Sequence, residues 1–283
     1  MKSYIPKYKQ YLTNEAKSSN TILNYISDIN HYFTLHDDIS RENIIKYKSQ
    51  IANLSVSSIN RKLSSIKSFN EFLLIIGVIE SIFVIKRDFI KKQQKGNPTN
   101  VTDSQVNIFL NEVSNNDNIM YKSRNMAIFY LIANTGIRRD EIANLKLRNL
   151  DLENKEIVLL GKGNKEREVY LNDVAIDVLK KYLKDRENHK FKDSPYIFVS
   201  ERSEKLHQCS LNKICNKFNV EGCHITPHQL RHAYATNCSE QNVLTLPELQ
   251  NQLGHSSLEV TSRYLHARKD NIKGKINNLK IGL

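Results

Sequence analysis

The chain has 283 residues, of which 40% are hydrophobic and 25% are charged, an ordinary balance for a folded globular protein of one or two domains. Its 42 Lys and Arg residues outnumber its 30 Asp and Glu residues, and the net charge of +12 favours a polyanionic partner, most often nucleic acid. No segment reaches the ~20 apolar residues of a membrane span and the N-terminus lacks a signal-peptide core, so we expect no membrane partner and a cytoplasmic location.

Residues 1–90 are predicted to form a helical domain. Apolar residues recur at helical spacing from Asn20 to Phe33, a second helix begins after Ser40, and a third covers Ser57 to Ile75. One side of the third helix is apolar and predicted to be buried. The other side carries the candidate DNA-binding residues, which a solvated surface would explain nearly as well: Asn60, Arg61, Lys62 and Lys67. The first hundred residues hold 15 basic and 8 acidic side chains, a density that suits a DNA clamp.

A polar stretch with Gly and Pro, residues 91–101, is predicted to be an interdomain linker. After it, Thr102 and Gln105 have the spacing of a capping box that starts a helix, and a further helix is expected from Asn125 to Ala133. Two strands around a Gly-containing turn, 156–160 and 167–171, predict a β-hairpin. Further helices are expected to begin near Asp173, Leu211, Pro227, Leu246 and Ser257. The result is a mainly α protein with a small antiparallel sheet in its second domain.

The four cysteines lie within one stretch, but none forms a C-x-x-C pair. They are Cys209, Cys215, Cys223 and Cys238. We therefore expect reduced, structural thiols and no metal site.

Six residues between positions 138 and 264 have the chemistry needed to attack a phosphodiester. They are Arg138 in Thr-Gly-Ile-Arg, Lys162 in Gly-Lys-Gly-Asn-Lys-Glu-Arg, His228 and Arg231 in Pro-His-Gln-Leu-Arg-His, His255 in Leu-Gly-His-Ser-Ser, and Tyr264. Attack on a DNA phosphodiester adds negative charge to the non-bridging oxygens, which a planar, permanently charged guanidinium can bind with two hydrogen bonds. A phenol with an ordinary pKa near 10 needs such cationic neighbours to act as a nucleophile.

The order Arg, Lys, His-x-x-Arg, His, Tyr resembles the tyrosine recombinases, which include phage integrases, Xer-type recombinases and transposon cointegrate resolvases. The resemblance is strongest over residues 102–270. It implies an all-helical SAM-like core-binding domain followed by an α+β catalytic domain over residues 102–265. It also implies that Tyr264 is the nucleophile, that Lys162 protonates the departing 5′ oxygen, and that Glu141 supports the site.

Several neighbouring residues compete for these roles. Arg139 is the rival of Arg138, and Lys165 is the rival of Lys162, but the family motifs favour the first of each pair. We expect Tyr170 and Tyr234 to be packed in the fold instead of reactive.

The resemblance implies a site-specific recombinase that forms a 3′-phosphotyrosyl intermediate and a Holliday junction, without metal, ATP or cofactor. The expected assembly is a homotetramer on two double-stranded core sites, with accessory proteins left open. The tail, residues 266–283, is expected to pack on a neighbouring protomer, with its own domain as the alternative. Resolution of transposon cointegrates is favoured. Xer-type dimer resolution, element integration, a type IB topoisomerase and a DNA-binding module without catalysis are the alternatives.

Overall fold

The computed structural model describes residues 1–91, 101–115, 119–160 and 166–254. The chain divides between Pro98 and Thr99 into two compact units. Most of the predicted linker over residues 91–101 lies outside the described residues, as does the whole tail over residues 266–283, so both remain predictions. No helix among the described residues is long and apolar enough to cross a membrane.

The N-terminal unit is built from four α-helices. After a short 3-10 turn they are α1 (Ile5–Asn14), α2 (Ser19–Tyr32), α3 (Arg41–Gln50) and α4 (Val56–Ile75). The last three each begin after a serine whose hydroxyl accepts a hydrogen bond from a backbone N–H of the first turn, which satisfies a donor that the helix leaves unpaired: Ser18, Ser40 and Ser55. A second short 3-10 turn, Lys86–Asp88, closes the unit.

Aromatic and branched apolar side chains fill the space between these helices. Tyr8 of α1, Tyr32 of α2 and Phe69 of α4 are fully buried, and Phe69 meets the ring of Tyr8 edge-on with centroids 5.0 Å apart. The apolar side predicted for α4 is confirmed, because its predicted members are all buried: Ile59, Leu63, Ile66, Phe69 and Leu73.

The second unit combines seven helices with one three-stranded antiparallel sheet in the described residues. The helices are α5 (Asp103–Ser114), α6 (Ile119–Thr135), α7 (Arg139–Asn144), α8 (Asp173–Arg186), α9 (Gln208–Asn216), α10 (Pro227–Glu240) and α11 (Leu246–Leu253). The strands β1 (Leu150–Asp151), β2 (Glu156–Leu160) and β3 (Glu166–Tyr170) lie in the order β1-β2-β3. Helix α6 is central, since it packs against α5, α8 and α10, while α11 packs against β3.

The predicted class, mainly helical with a small antiparallel sheet, is confirmed. The capping box also forms, because Gln105 N donates to Thr102 Oγ1 at 3.2 Å and Thr102 N donates to Gln105 Oε1 at 3.1 Å. The two strands of the hairpin lie within one residue of their predicted bounds, but α1 and β1 were not predicted individually, and α6 begins six residues before Asn125. The helix predicted near Ser257 lies outside the described residues.

Candidate active site

The turn between α6 and α7 brings the first candidate arginine into place. Gly136 has φ +65°, and a Cβ atom there would lie 2.6 Å from both Leu253 Cδ2 and Tyr234 Cδ1. Only glycine fits, because it adopts this conformation without strain and leaves room for side chains of α10 and α11. Two residues later, Arg138 precedes the first residue of α7.

The guanidinium of Arg138 is fixed by two acceptors. Its Nη1 donates to Glu141 Oε1 at 3.0 Å, and its Nη2 donates to the backbone oxygen of Gly254 at 2.6 Å. The backbone N of Arg138 also donates to Glu141 Oε2 at 2.8 Å, which caps α7. The side chain is still 39% exposed, so it is oriented by the protein while facing solvent. Its rival Arg139 pairs instead with the adjacent exposed Asp140.

The second candidate arginine, Arg231 on α10, is buried against the same backbone. Its Nη1 donates to Gly136 O at 2.5 Å and its Nη2 donates to Leu253 O at 2.9 Å. Arg138 and Arg231 are thus both bonded to the end of α11, and Arg231 is also bonded to the turn that leads to Arg138. Two guanidiniums that are 93 positions apart in sequence are brought to one place.

His228 lies one turn before Arg231 on α10. The helix starts after Thr226, with Pro227 as its first residue, and His228 keeps part of its surface exposed to solvent. Partial burial of the ring and the positive charge of Arg231 lower the pKa of His228 below its usual value near 6.5. This lowered pKa favours the neutral imidazole, which can accept a proton.

Glu141 has two arginine partners. Its carboxylate accepts from Arg138 and also from Arg167, whose Nη1 and Nη2 reach Oε1 and Oε2 at 2.8 Å each. Burial alone would raise the pKa of Glu141, but the hydrogen bonds and charges of Arg167 and Arg138 lower it below its ordinary range. Glu141 is therefore ionised, and its carboxylate is shared between Arg138 and Arg167.

Arg167 was not predicted as part of the site. Its side chain is only 7% exposed, because it lies on the same buried side of β3 as Val169. A charged residue on the core-facing side of a strand must find a partner, since an unpaired buried charge is costly. The position of Arg167 on the core-facing side of a strand could have indicated from the sequence that it needs a buried partner, although this pattern does not identify Glu141 as that partner.

Three of the six motif residues, Lys162, His255 and Tyr264, lie outside the described residues. In sequence, Lys162 falls between the paired strands β2 and β3, and His255 directly follows Gly254 at the end of α11. Their membership of the site stays a prediction.

One of the tyrosines set aside as packed is instead exposed. Tyr170 at the end of β3 is 56% exposed, and its hydroxyl donates to Glu168 at 2.8 Å, so the expectation of a packed residue was wrong. Side chains of β3 alternate between the core and solvent, and Tyr170 lies on the solvent side. Tyr234 is partly buried, and burial raises its pKa, which disfavours a phenolate there.

The candidate DNA-binding residues of α4 have partners inside the N-terminal unit. Arg61 pairs with the buried Asp28, and Lys62 Nζ lies 3.4 Å from the same carboxylate with its side chain only 12% exposed. The expectation that Lys62 faces outward was therefore wrong, because Asp28 on α2 draws it inward.

The other two candidates on α4 also have partners. The Asn60 amide exchanges hydrogen bonds with the backbone of Ile90 at 2.8 and 2.9 Å, and Lys67 pairs with Glu71 at 3.5 Å. Any DNA contact by these four residues stays a prediction.

The cysteines are free thiols in this structure, and burial raises the pKa of Cys215 to about 12. Across the parts of the chain that the structure describes, no three His, Cys, Asp or Glu side chains group as ligands for a metal ion.

Comparison with known proteins covers both units. The profile "Phage integrase family" matches residues 99–271, and "Phage integrase, N-terminal SAM-like domain" matches residues 5–75. The chain is similar to the protein named TnP I resolvase of Bacillus thuringiensis, with 35% identity over 96% of this chain and 98% of that one. It is also similar to tyrosine recombinase XerC of Leptospira interrogans serogroup Icterohaemorrhagiae serovar copenhageni (strain Fiocruz L1-130), with 32% identity over 94% of this chain and 89% of that one.

Two solved structures share the fold at low sequence identity. The Tn1549 transposon integrase in complex with transposon right end DNA has a TM-score of 0.75 and 16% identity, and the match covers 96% of this chain and 97% of that one. The XerH site-specific recombinase bound to palindromic difH substrate has a TM-score of 0.72 and 22% identity, with 98% and 84% covered.

Proposed function

We propose that this member of the phage integrase family of tyrosine recombinases uses site-specific DNA recombination to resolve cointegrates of a mobile element. The observation that carries the chemistry is the pair of arginines, Arg138 and Arg231, attached to the same end of α11. Two oriented guanidiniums at one place can bind the non-bridging oxygens of a single phosphate, where charge develops during attack.

The reaction proceeds by exchange of one ester bond for another. The phenol oxygen of Tyr264 attacks the phosphorus, a bond from phosphorus to that oxygen forms, and the bond from phosphorus to the 5′ oxygen breaks. His228 accepts or shares the phenol proton, and Lys162 gives a proton to the departing 5′ oxygen. His255 donates to the phosphate. Because the ester is retained in the 3′-phosphotyrosyl link, a 5′-hydroxyl can reverse the step without ATP.

The double-stranded DNA partner is supported by the DNA-bound relatives in fold and by the net charge of +12. We propose that four copies act on two core sites through a Holliday junction, in the cytoplasm, with the tail over residues 266–283 contacting a neighbouring copy. The N-terminal unit holds the DNA through the basic surface of α4. Arg61 and Lys67 already pair with the carboxylates of Asp28 and Glu71, so they must exchange partners when they bind phosphate.

The choice of a mobile element rests on the relative named TnP I resolvase, which matches nearly the whole of both chains. Resolution of chromosome or plasmid dimers is the second candidate, because the relative named XerC matches over almost the same length.

A resolution assay tests the function. A supercoiled plasmid with two directly repeated copies of the DNA flanking the gene is incubated with the protein in EDTA. We expect two smaller circles, and no reaction with Tyr264→Phe. Tyr170→Phe is the matched control, because Tyr170 is exposed but lies outside the site, and it should act like wild type.

Three other outcomes of this assay would each exclude part of the proposed function. Relaxed plasmid without deletion would refute recombination and indicate a type IB topoisomerase. Resolution at a chromosomal dimer-resolution site, with none at the element's own flanks, would refute the mobile-element role while leaving recombination intact. Specific DNA binding without either product would indicate a binding module.

A further inference from the structure

We infer that Arg167 is a positioning residue that keeps Arg138 oriented and offsets the negative charge of its partner Glu141; this rests on the proposed function, in which Arg138 binds the scissile phosphate. Arg138 is oriented by two acceptors, the carboxylate of Glu141 and the backbone oxygen of Gly254. Arg167 contacts both residues.

The first contact is the two-pronged ion pair with Glu141. Both terminal nitrogens of Arg167 reach the carboxylate at 2.8 Å, one to each oxygen. Such a paired geometry fixes the plane of the carboxylate more firmly than a single hydrogen bond does. Because Glu141 Oε1 also accepts from Arg138 at 3.0 Å, the orientation passes from Arg167 through Glu141 to Arg138.

The second contact is with the end of α11. A Cβ atom on Gly254 would lie 2.7 Å from Arg167 Cζ and 2.8 Å from its Nε, so the guanidinium lies directly against this glycine. Arg167 Nε also donates to Gln252 O at 3.4 Å. The Gln252 side chain in turn bonds both backbone groups of Tyr170 at 3.2 Å, which ties α11 to β3 a second time. Arg167 therefore helps to hold the carbonyl of Gly254 where Arg138 binds it.

Charge gives Arg167 a second effect on Arg138. Glu141 alone would neutralise Arg138, and the pair would offer little net charge to a phosphate. With Arg167 present, two guanidiniums share one carboxylate, and the group of three keeps a net charge of +1. Arg167 itself is 7% exposed while Arg138 is 39% exposed, so Arg138 is the member of the group that faces outward.

The test compares two substrates that differ in one non-bridging group of the scissile phosphate, and so in its charge. Single-turnover cleavage is measured on a duplex that carries the site from the DNA flanking the gene, with either a normal phosphodiester or a methylphosphonate, in which a methyl group replaces one charged oxygen. We expect Arg167→Met to slow phosphodiester cleavage about 100-fold, comparable to losing one preorganised donor. The loss should shrink to less than about 10-fold on the neutral methylphosphonate, where stabilisation of negative charge matters less.

Two further variants, Arg167→Lys and Arg202→Met, are measured on the same two substrates. The lysine keeps the charge but not the two-pronged geometry, so it should recover part of the phosphodiester rate. Arg202 is exposed on the same unit and outside the site, so Arg202→Met should match wild type on both substrates. The ratio of the two rates is taken within one preparation, so it does not depend on the folded fraction of a destabilised variant.

An equal loss on both substrates would overturn the inference and leave Arg167 a purely structural residue. Full activity of Arg167→Met would overturn it as well. Failure of wild type to cleave either substrate would instead refute the proposed function itself, and the inference would fall with it.

Discussion

Replacing Gly136 by alanine should destabilise the second unit by two separable effects. Alanine in the left-handed conformation at φ +65° costs about 1 kcal/mol. The new Cβ would also lie 2.6 Å from Leu253 and Tyr234 side-chain atoms, and relieving such overpacking costs about 1–3 kcal/mol. We therefore expect Gly136→Ala to lower the free energy of unfolding by about 2–4 kcal/mol.

Urea unfolding followed by circular dichroism measures this loss, and Gly222→Ala is the matched control. Gly222 has φ +76°, in the same unit, but no atom beyond its two chain neighbours lies within 4 Å of the Cβ position. It should lose only the conformational part, about 1 kcal/mol. Equal losses for the two variants would refute the argument that Gly136 is required by the packing of α10 and α11 around it.

Three further outcomes are expected. Because the pKa of His228 is lowered, the rate of single-turnover cleavage should stay level from pH 8 to 7 and fall only below about pH 6.5, where the imidazole becomes protonated. His228→Asn should lose this fall at acid pH, and an unchanged pH profile in the variant would contradict the role of His228 as proton acceptor. Asp28→Asn should lower the free energy of unfolding of the N-terminal unit by about 1–3 kcal/mol in urea, since it removes the carboxylate that binds Arg61, and no loss would contradict the importance of that pair. Thr102→Ala should cost about 1 kcal/mol by the same assay, because the cap of α5 is lost, whereas Thr236→Ala, away from any helix start, should cost less.

Local sequence signals predicted the elements whose geometry is set locally. The capping box of Thr102 and Gln105 forms as predicted, and the two strands predicted on either side of a Gly-containing turn pair as a hairpin. The strand β1 has only two residues and exists because it pairs with β2, so no periodicity marked it. The early start of α6 was missed because its first six residues, Ile-Met-Tyr-Lys-Ser-Arg, place three apolar residues before three polar ones and so show no helical repeat.

Most hydrogen-bond partners of the candidate site residues could not be predicted from the sequence, because they lie far away along the chain. The motifs identified Arg138 and Arg231, and the structure brings both to the end of α11. The partners that fix them, however, are largely backbone oxygens of Gly136, Leu253 and Gly254, which leave no trace in side-chain identity. The inward turn of Lys62 depends likewise on a carboxylate 34 positions away on another helix.

The chemistry at Tyr264 is tested most directly by identifying the atom that becomes linked to DNA. Wild-type protein and supercoiled DNA that carries the site are mixed in EDTA and quenched with detergent, and the adduct is digested with protease and nuclease for mass spectrometry. The account predicts a nucleotide attached through its 3′ phosphate to Tyr264, a free 5′-hydroxyl on the other strand end, and no adduct with Tyr264→Phe. A phosphate on any other residue, or a 5′-linked adduct, would contradict it.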